Sequence, residues 1–498
     1  MTLLEYSKTE NDAIIYQINN MYKVIIKNTK SGVLYKPVIN EQTYMNHDID
    51  VTLILRRVER QFSSIIKHKL IQKYEKYSFS KIIDEIKCLI IEVLKKNNYL
   101  IVDDSFVVFI IFKLLGLEKL LPYLLDEYIT EIYIDRPNTR IYIDHIKFGR
   151  CTTTTIVDKA TLEKLKNILE LENNLSLDTS TPSIKGDLRT DYFHVRVTID
   201  NYPITVDGLA VDIRKYRKKP FTITELVHLG TISPLLASFL IFLMKRKINI
   251  LIIGRPGSGK TTLANAIDML TPSHWRKIYI EDVIESIDQR TMGKHQLRLK
   301  VESYIGKEKT RYKKSTEIIK LLHRNPDWIF LGEILTKDHS EALFHALVSG
   351  IMGIETYHAA TPLDAILRWN IFHKIPFYAM RNLGLIVLMG RIERKNTRYI
   401  RVLEVVEPYL TNSKEKIPVG FNTIFKYDMS YDHIFCVTDN LFHKSINIKR
   451  LHKTQNVRKI DFISEIAYYT KTIVQLVKKK DFSYSSLQHL IGDYNAFL

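Results

Sequence analysis

Residues 248–262 read INILIIGRPGSGKTT. The first six are almost entirely apolar, which is typical of a parallel strand buried on both faces. A helical pattern follows at residues 263–270. The intervening glycine-rich stretch fits GxxxxGK[ST] in the strand–loop–helix context in which that pattern binds phosphate. The sequence therefore predicts an α/β domain with a phosphate-binding loop.

The residue types of this loop indicate which contacts it makes. Three of the 18 glycines lie within six positions, so that successive backbone N–H groups can curl around a phosphate at a helix N-terminus. Lys260 is expected to reach the β- and γ-phosphates of a nucleotide, and the Thr261 hydroxyl to coordinate Mg²⁺. No Asn-Lys-x-Asp follows the loop, which disfavours a GTPase. The predicted nucleotide contacts are Gly254, Pro256, Gly257, Ser258, Gly259, Lys260, Thr261 and Thr262.

Polar side chains also end the predicted strands that follow. A second strand ends in Glu281 and Asp282, a third in Glu333 and a fourth in His358. The carboxyl ends of parallel strands face the ligand crevice of an α/β sheet. Each of these side chains alone is more often structural, but their succession favours a site. We expect Glu333 to orient or deprotonate an attacking water and His358 to sense the γ-phosphate.

The remaining chain predicts further units. Short β-rich runs and one helix at 159–172 indicate an α+β domain before the phosphate loop, and a largely apolar stretch that begins at Pro234 indicates a buried helix around 234–246. Strands and a final helix at 460–480 are expected after the α/β domain. The predicted divisions are an N-terminal strand and helical region at 1–120, an α+β domain at 121–215, a basic connector at 216–232, the α/β domain at 233–410 and a C-terminal extension at 411–498.

In order and spacing these motifs resemble those of the type II/type IV secretion ATPase superfamily, the motors of pilus assembly, secretion and archaeal flagellum assembly. The phosphate loop matches its Walker A motif, and residues 280–282 match its Asp box. Residues 326–333 match its atypical Walker B motif, and residues 357–359 its His box. Residues 213–222 resemble a signature of the archaeal branch. The resemblance covers roughly residues 100–410.

This resemblance implies a multidomain protein, with an α+β N-terminal domain followed by an α/β RecA-like P-loop ATPase domain. It implies a cytoplasmic homo-hexamer, peripheral to the membrane, that binds ATP between its two domains and pushes on an integral membrane platform protein. Arg196 and Arg214 occupy positions of family arginines that reach the γ-phosphate. The candidate catalytic residues are Glu281, Asp282, Glu333 and His358, with Thr261 and Asp282 as candidate ligands of Mg²⁺.

Several auxiliary arginines of the family pattern are absent. Leu335, Asp207 and Asn325 stand at three of those positions, and Ile351 replaces a second histidine. Two alternatives to a pilus or secretion motor therefore remain open. One is a DNA-handling motor of conjugation or viral packaging, and the other is a nucleotide-binding scaffold with weak hydrolysis.

The charge of the chain implies an anionic partner. The 498 residues include 73 Lys and Arg against 55 Asp and Glu, a net charge of +18. The excess is concentrated at 214–219, 290–314 and 443–459. These segments are equally well explained as solvated surface of a lysine-rich chain, and among anionic partners a membrane surface is favoured over nucleic acid. The N-terminus lacks the apolar stretch of a signal peptide. Residues 226–244 are uncharged but too weakly apolar for the roughly 20 residues that a spanning helix needs.

Overall fold

The computed structural model describes residues 7–8, 13–30, 32–40, 54–60, 78–96, 103–217, 219–301, 313–394, 397–411 and 417–491. These residues separate into two compact units. Unit 1 comprises residues 1–219 and 394–398, and unit 2 comprises residues 220–393 and 399–498. The boundary after Lys219 falls inside the predicted connector. The finer division into five parts stays a prediction, and residues 61–77 of the predicted N-terminal strand and helical region lie outside the described residues.

Unit 1 is built on a ten-stranded sheet, β1–β10, in the order β1-β2-β3-β4-β7-β6-β5-β10-β9-β8. Its neighbouring strands pair antiparallel, apart from the parallel pair β4 and β7. The strands are Ser7–Lys8, Ile14–Gln17, Tyr22–Thr29, Gly32–Ile39, Ile129–Ile134, Thr139–His145, Gly149–Val157, Ser183–Arg189, His194–Asp200 and Ala210–Tyr216.

Helices cover this sheet and complete one apolar core. Besides a helical segment at 54–60, they are α1 (Phe79–Lys96), α2 (Asp104–Leu114), α3 (Leu121–Leu125) and α4 (Lys159–Asn173). Helix α2 is buried on every side from Phe106 to Phe112 because its residues there are all apolar. Helix α4 confirms the prediction at 159–172, and Asp158 caps it by accepting from the Thr161 N–H.

Unit 2 contains a nine-stranded sheet in the order β13-β12-β14-β15-β11-β16-β17-β18-β19. Pairing is parallel from β13 to β16 and antiparallel among β17, β18 and β19. The strands β11–β19 are Ile250–Gly254, Lys277–Glu281, Gln296–Lys300, Trp328–Ile334, Gly353–Tyr357, Leu385–Arg394, Thr397–Leu410, Val419–Asp428 and His433–Cys436.

Helices lie on both faces of the parallel strands. In β11, Ile250 and Ile252 belong to one apolar core and Leu251 and Ile253 to the other, as alternation along a doubly covered strand requires. The helices α5–α14 are Ile223–His228, Pro234–Lys245, Lys260–Asp268, Lys314–Ile319, Lys337–Val348, Pro362–Ile371, Leu441–Lys444, Ile446–Gln455, Lys459–Lys478 and Gln488–Ile491. This unit is the α/β RecA-like P-loop domain that the sequence predicts, and α6 is the buried helix expected from Pro234.

One strand runs further than predicted. The sequence predicts a third strand that ends in Glu333, and β14 continues one residue further to Ile334. Gly332 adopts φ +58° and the register against β15 shifts between Phe330 and Glu333. Since a glycine accommodates this backbone bulge, pairing resumes beyond it at Glu333 and Thr356. In the part of the chain that the structure describes, no helix has the length and hydropathy needed to cross a membrane.

Candidate functional site

The phosphate loop connects β11 to α7 and depends on glycine at three points. Gly254, Gly257 and Gly259 have φ values of +154°, +66° and +86°, which side-chain-bearing residues rarely adopt. A Cβ at Gly254 would lie 2.5 Å from the Met389 carbonyl oxygen, and Gly259 is the N-cap of α7. The loop therefore has a backbone shape that only this glycine pattern allows.

The Lys260 side chain folds back onto the phosphate loop and donates hydrogen bonds to its backbone. Its Nζ donates to the carbonyl oxygens of Gly254 and Arg255 at 3.1 and 3.2 Å and lies 3.1 Å from His358 Nδ1. The side chain is 7% exposed. An ammonium held at the mouth of a helix N-terminus is placed to bind an anion.

His358 connects Lys260 to Glu333. Because the Lys260 ammonium can only donate, Nδ1 of His358 accepts, and its Nε2 carries the proton. Nε2 is paired with Glu333 Oε1. The three side chains come from the start of α7, the end of β14 and the residue after β15, and the parallel sheet brings them to one edge. The structure thus joins Lys260, His358 and Glu333 in a single contact chain.

Two other predicted carboxylates have different surroundings. Glu281 is buried and accepts from the backbone N–H groups of Glu285 and Ser286 at 3.0 and 2.9 Å and from the Ser286 hydroxyl. Burial raises its pKa, although these bonds oppose the rise. Glu281 therefore fixes the turn after β12. Asp282 Oδ1 lies 3.9 Å from the Nζ of Lys314.

Thr261 donates from its hydroxyl to Glu285 Oε2 at 2.8 Å. Glu285 is held in turn, because Asn265 donates to its carbonyl oxygen at 2.9 Å. Ser258 Oγ is buried and has no hydrogen-bond partner among the described residues. An unsatisfied hydroxyl inside a glycine cradle, with a threonine hydroxyl at the helix start, fits a phosphate carrying Mg²⁺. Pro256 and Thr262 lie in the same loop and first helical turn.

If Mg²⁺ binds here, the Thr261 hydroxyl and the acidic turn after β12 are the groups that would hold it, and the ion would neutralise charge on the phosphates. The role of Asp282 as a ligand stays a prediction.

Arg196 and Arg214 lie in unit 1, directly opposite each other on β9 and β10. Arg196 is 7% exposed, its Nε is 3.4 Å from Asp187 Oδ1, and its guanidinium lies 5.2 Å from the ring centre of Tyr216. Their contact with nucleotide stays a prediction.

Sequence reasoning missed two cations of unit 2. Lys314 is buried at the start of α8 and donates to the Glu333 carbonyl oxygen at 2.6 Å. Burial lowers its pKa, while Asp282, Glu281 and Glu333 act in the opposite direction. Arg391 of β16 donates from Nε to the Gly257 carbonyl oxygen at 2.8 Å. Neither belongs to a motif, and Lys314 is part of a basic run that resembles a solvated surface.

The positions without family arginines have ordinary surroundings. Leu335 is 40% exposed, Asn325 is in the left-handed region at φ +46°, and Asp207 pairs with Arg136 at 3.3 Å.

The chain belongs to the type II/IV secretion system protein family, whose sequence model matches residues 123–480. This confirms the resemblance found in the motifs and makes the protein a member of a family of secretion ATPases. The uncharacterized protein MJ0900 of Methanocaldococcus jannaschii is 26% identical over 394 residues, which cover 78% of this chain and 69% of that protein.

Two solved structures are also similar. The VirB11 ATPase of the Brucella suis type IV secretion system is 22% identical, with 60% of this chain and 95% of that chain covered and a TM-score of 0.28. The pilus retraction motor PilT with bound ADP is 15% identical, with 76% and 97% covered and a TM-score of 0.45.

Proposed function

We propose that this chain is an ATP-hydrolysing motor subunit that powers assembly of a type IV pilus-like filament, or secretion, through an integral membrane platform protein. The observation that carries the proposal is the contact chain from Lys260 through His358 to Glu333. It supports the proposal because an ammonium, an imidazole and a carboxylate meet there at one edge of the sheet.

This arrangement allows nucleotide occupancy to be sensed. A γ-phosphate attracts the Lys260 ammonium more strongly than the neutral imidazole does, since the phosphate is charged. Lys260 would then leave His358 Nδ1, and His358 would be free to contact the phosphate. Glu333 would accept the proton of the attacking water, as a general base at this position can. Loss of the γ-phosphate after hydrolysis would restore the Lys260–His358 contact.

The remaining parts of the proposal come from family membership. We infer a homo-hexamer in the cytoplasm, peripheral to the membrane, with Arg196 and Arg214 reaching the γ-phosphate of ATP bound between the domains. An arginine that binds the γ-phosphate loses its partner on hydrolysis, so nucleotide state would change domain closure. Nucleic acid is not proposed as a substrate.

ATP turnover by the purified full-length protein tests this function. We expect Mg²⁺-dependent phosphate release that Lys260→Ala and Glu333→Gln each reduce at least about 100-fold. Glu341→Gln is the matched control, because Glu341 lies on the exposed side of α9 and pairs only with Lys337 in the described structure. Absence of wild-type turnover, with or without lipid, would refute the motor. Strong stimulation by DNA would instead favour a DNA-handling motor.

A second candidate is a nucleotide-binding scaffold with weak hydrolysis. It is favoured by Leu335, Asp207 and Asn325, which stand where the family pattern has arginines. Losing an arginine that stabilises the transition state can slow hydrolysis by about 10³-fold or more. Tight ATP binding together with turnover that Glu333→Gln does not change would support the scaffold.

A further inference from the structure

A cavity of about 410 Å³ lies in unit 2, where the C-terminal extension packs on the α/β domain. Its lining residues include two arginines, Arg381 from the 3-10 helix before β16 and Arg450 from α12. Its other walls include Pro408, Tyr409 and Ile446, and none of its lining residues is acidic. The cavity therefore combines cationic and apolar surface.

The positive charge continues along α12. Ile446 and Arg450 line the cavity, and Lys449 and Lys453 lie on the same face because helical positions three, four and seven apart are neighbours. Both lysines and Arg450 are exposed. Within the part of the chain that the structure describes, neither arginine and neither lysine pairs with a carboxylate.

The buried carboxylate of Glu407 accepts hydrogen bonds from the segment that forms one wall of the cavity, but Glu407 does not itself line the cavity. Glu407 accepts from the Ile446 and Asn447 N–H groups at 2.6 and 3.1 Å, the Ser445 hydroxyl at 2.6 Å and the Asn422 side chain at 3.0 Å. It is 0% exposed. The Glu407 carboxylate thus accepts the hydrogen bonds of N–H groups at the start of α12. These bonds fix the position of the helix that carries Arg450.

The cavity lies at the amino ends of the parallel strands, whereas the phosphate loop lies at their carboxyl ends. Gly384 lines it and immediately precedes β16, whose Leu385 pairs with Ile250 and whose Met389 pairs with Gly254. Four residues of strand separate these pairs, roughly 13 Å. An occupant of the cavity would not compete with nucleotide, so this site is independent of the proposed ATPase activity.

We propose that this cavity and the adjoining face of α12 bind an acidic peptide segment of a partner protein. Guanidinium groups match carboxylates in a planar, two-bond geometry. The apolar walls suit an aliphatic or aromatic side chain between those carboxylates. A recess of about 410 Å³ between β17 and α12 can accept a peptide side chain, which the flat surface of a bilayer does not offer.

The test is fluorescence anisotropy of the full-length protein with a labelled peptide that alternates Glu and Leu, and with a Lys–Leu peptide of equal length. We expect binding of the acidic peptide only, weakened by salt. Arg381→Glu with Arg450→Glu should raise the Kd at least about tenfold. Lys23→Glu with Lys27→Glu is the matched control, since these exposed lysines of β3 change the net charge equally and should leave the Kd within about twofold.

Three results would overturn the proposal. The first is that the acidic peptide does not bind. The second is that the charge-reversal variant binds it as tightly as the wild type does. The third is that phosphatidylglycerol vesicles bind in a way that depends on Arg381 and Arg450, while the peptide does not bind. If charge reversal lowers the melting temperature, Arg381→Gln with Arg450→Gln replaces it and should weaken peptide binding in the same direction. Saturating ATP should leave the Kd unchanged.

Discussion

Arg391 donates a hydrogen bond from Nε to the carbonyl oxygen of Gly257, 134 residues earlier in the chain. Its guanidinium also occupies the space above that glycine, because a Cβ built on Gly257 would lie 1.7 Å from Nη2. The φ of +66° favours glycine at this position, and a side chain there would also displace the Arg391 guanidinium from its place above the loop. Strand β16 takes part in shaping the loop.

Replacing Arg391 by Ala should weaken ATP binding about tenfold, since the loop loses one charge-assisted hydrogen bond. Arg391→Lys should recover only part of this affinity, because an ammonium cannot reproduce the guanidinium geometry. Titration with a fluorescent ATP analogue measures the effect. Arg381→Ala, at the other edge of the sheet, is the control. Unchanged affinity in Arg391→Ala would show that the contact does not order the loop.

Lys314 provides the second test of the site. Lys314→Met should lower kcat at least about tenfold, because Asp282 and the backbone of Glu333 lose their buried cation. Stability should fall, although methionine has a similar length, because Asp282 and the Glu333 carbonyl oxygen remain without the cation that they contact. Lys313→Met changes the exposed neighbouring residue and should leave kcat unaltered.

Steady-state kinetics and thermal melts on the same preparations separate the two possible roles of Lys314. A large fall in melting temperature with a proportionate loss of kcat would assign Lys314 to folding alone. A fall in kcat at a temperature where the variant is still fully folded supports a positioning role.

Glu407 tests the attachment of the C-terminal extension. Glu407→Gln should cost about 2–4 kcal/mol of unfolding free energy, because the amide nitrogen faces N–H donors and leaves them buried without an acceptor. Glu404→Gln lies on the same strand, where the carboxylate accepts only from Thr423 at 3.3 Å among the described residues, and should cost far less. Urea denaturation measures both. Equal losses of unfolding free energy in the two variants would contradict the conclusion that Glu407 attaches the C-terminal extension.

The sequence alone predicts those parts of the site that depend on residues close together in the chain. The phosphate loop, the strand ends at Glu281 and His358 and the buried helix α6 follow from apolar patterning and glycine spacing. The bulge at Gly332 was missed, since a single glycine in a strand does not reveal which register follows it. Arg391 and Lys314 were missed because their contacts are long-range, and a lysine that becomes buried looks in sequence like one that stays in water. Glu285 is not among the predicted site residues, although the fold directs it to Thr261.

Glu355 makes stability depend on pH in a predictable direction. It is 1% exposed, its Oε1 accepts from Asn249 Nδ2 at 2.6 Å, and its Oε2 is buried without a partner in the described structure. Burial raises its pKa to about 8. The folded state therefore keeps the proton when the unfolded chain has lost it, so that stability is highest below the pKa of the unfolded chain and falls as pH rises towards 8.

Glu355→Gln removes this titration but keeps the acceptor for Asn249. Relative to the wild type, the variant should gain on the order of 3 kcal/mol of unfolding free energy between pH 5 and pH 8. Urea denaturation at both pH values gives the difference, and Glu341→Gln, exposed on α9, should show no such gain. A difference between Glu355→Gln and wild type that stays constant with pH would mean that Glu355 is ionised in the folded protein. A cation would then have to approach Glu355 at the centre of the sheet beside Asn249.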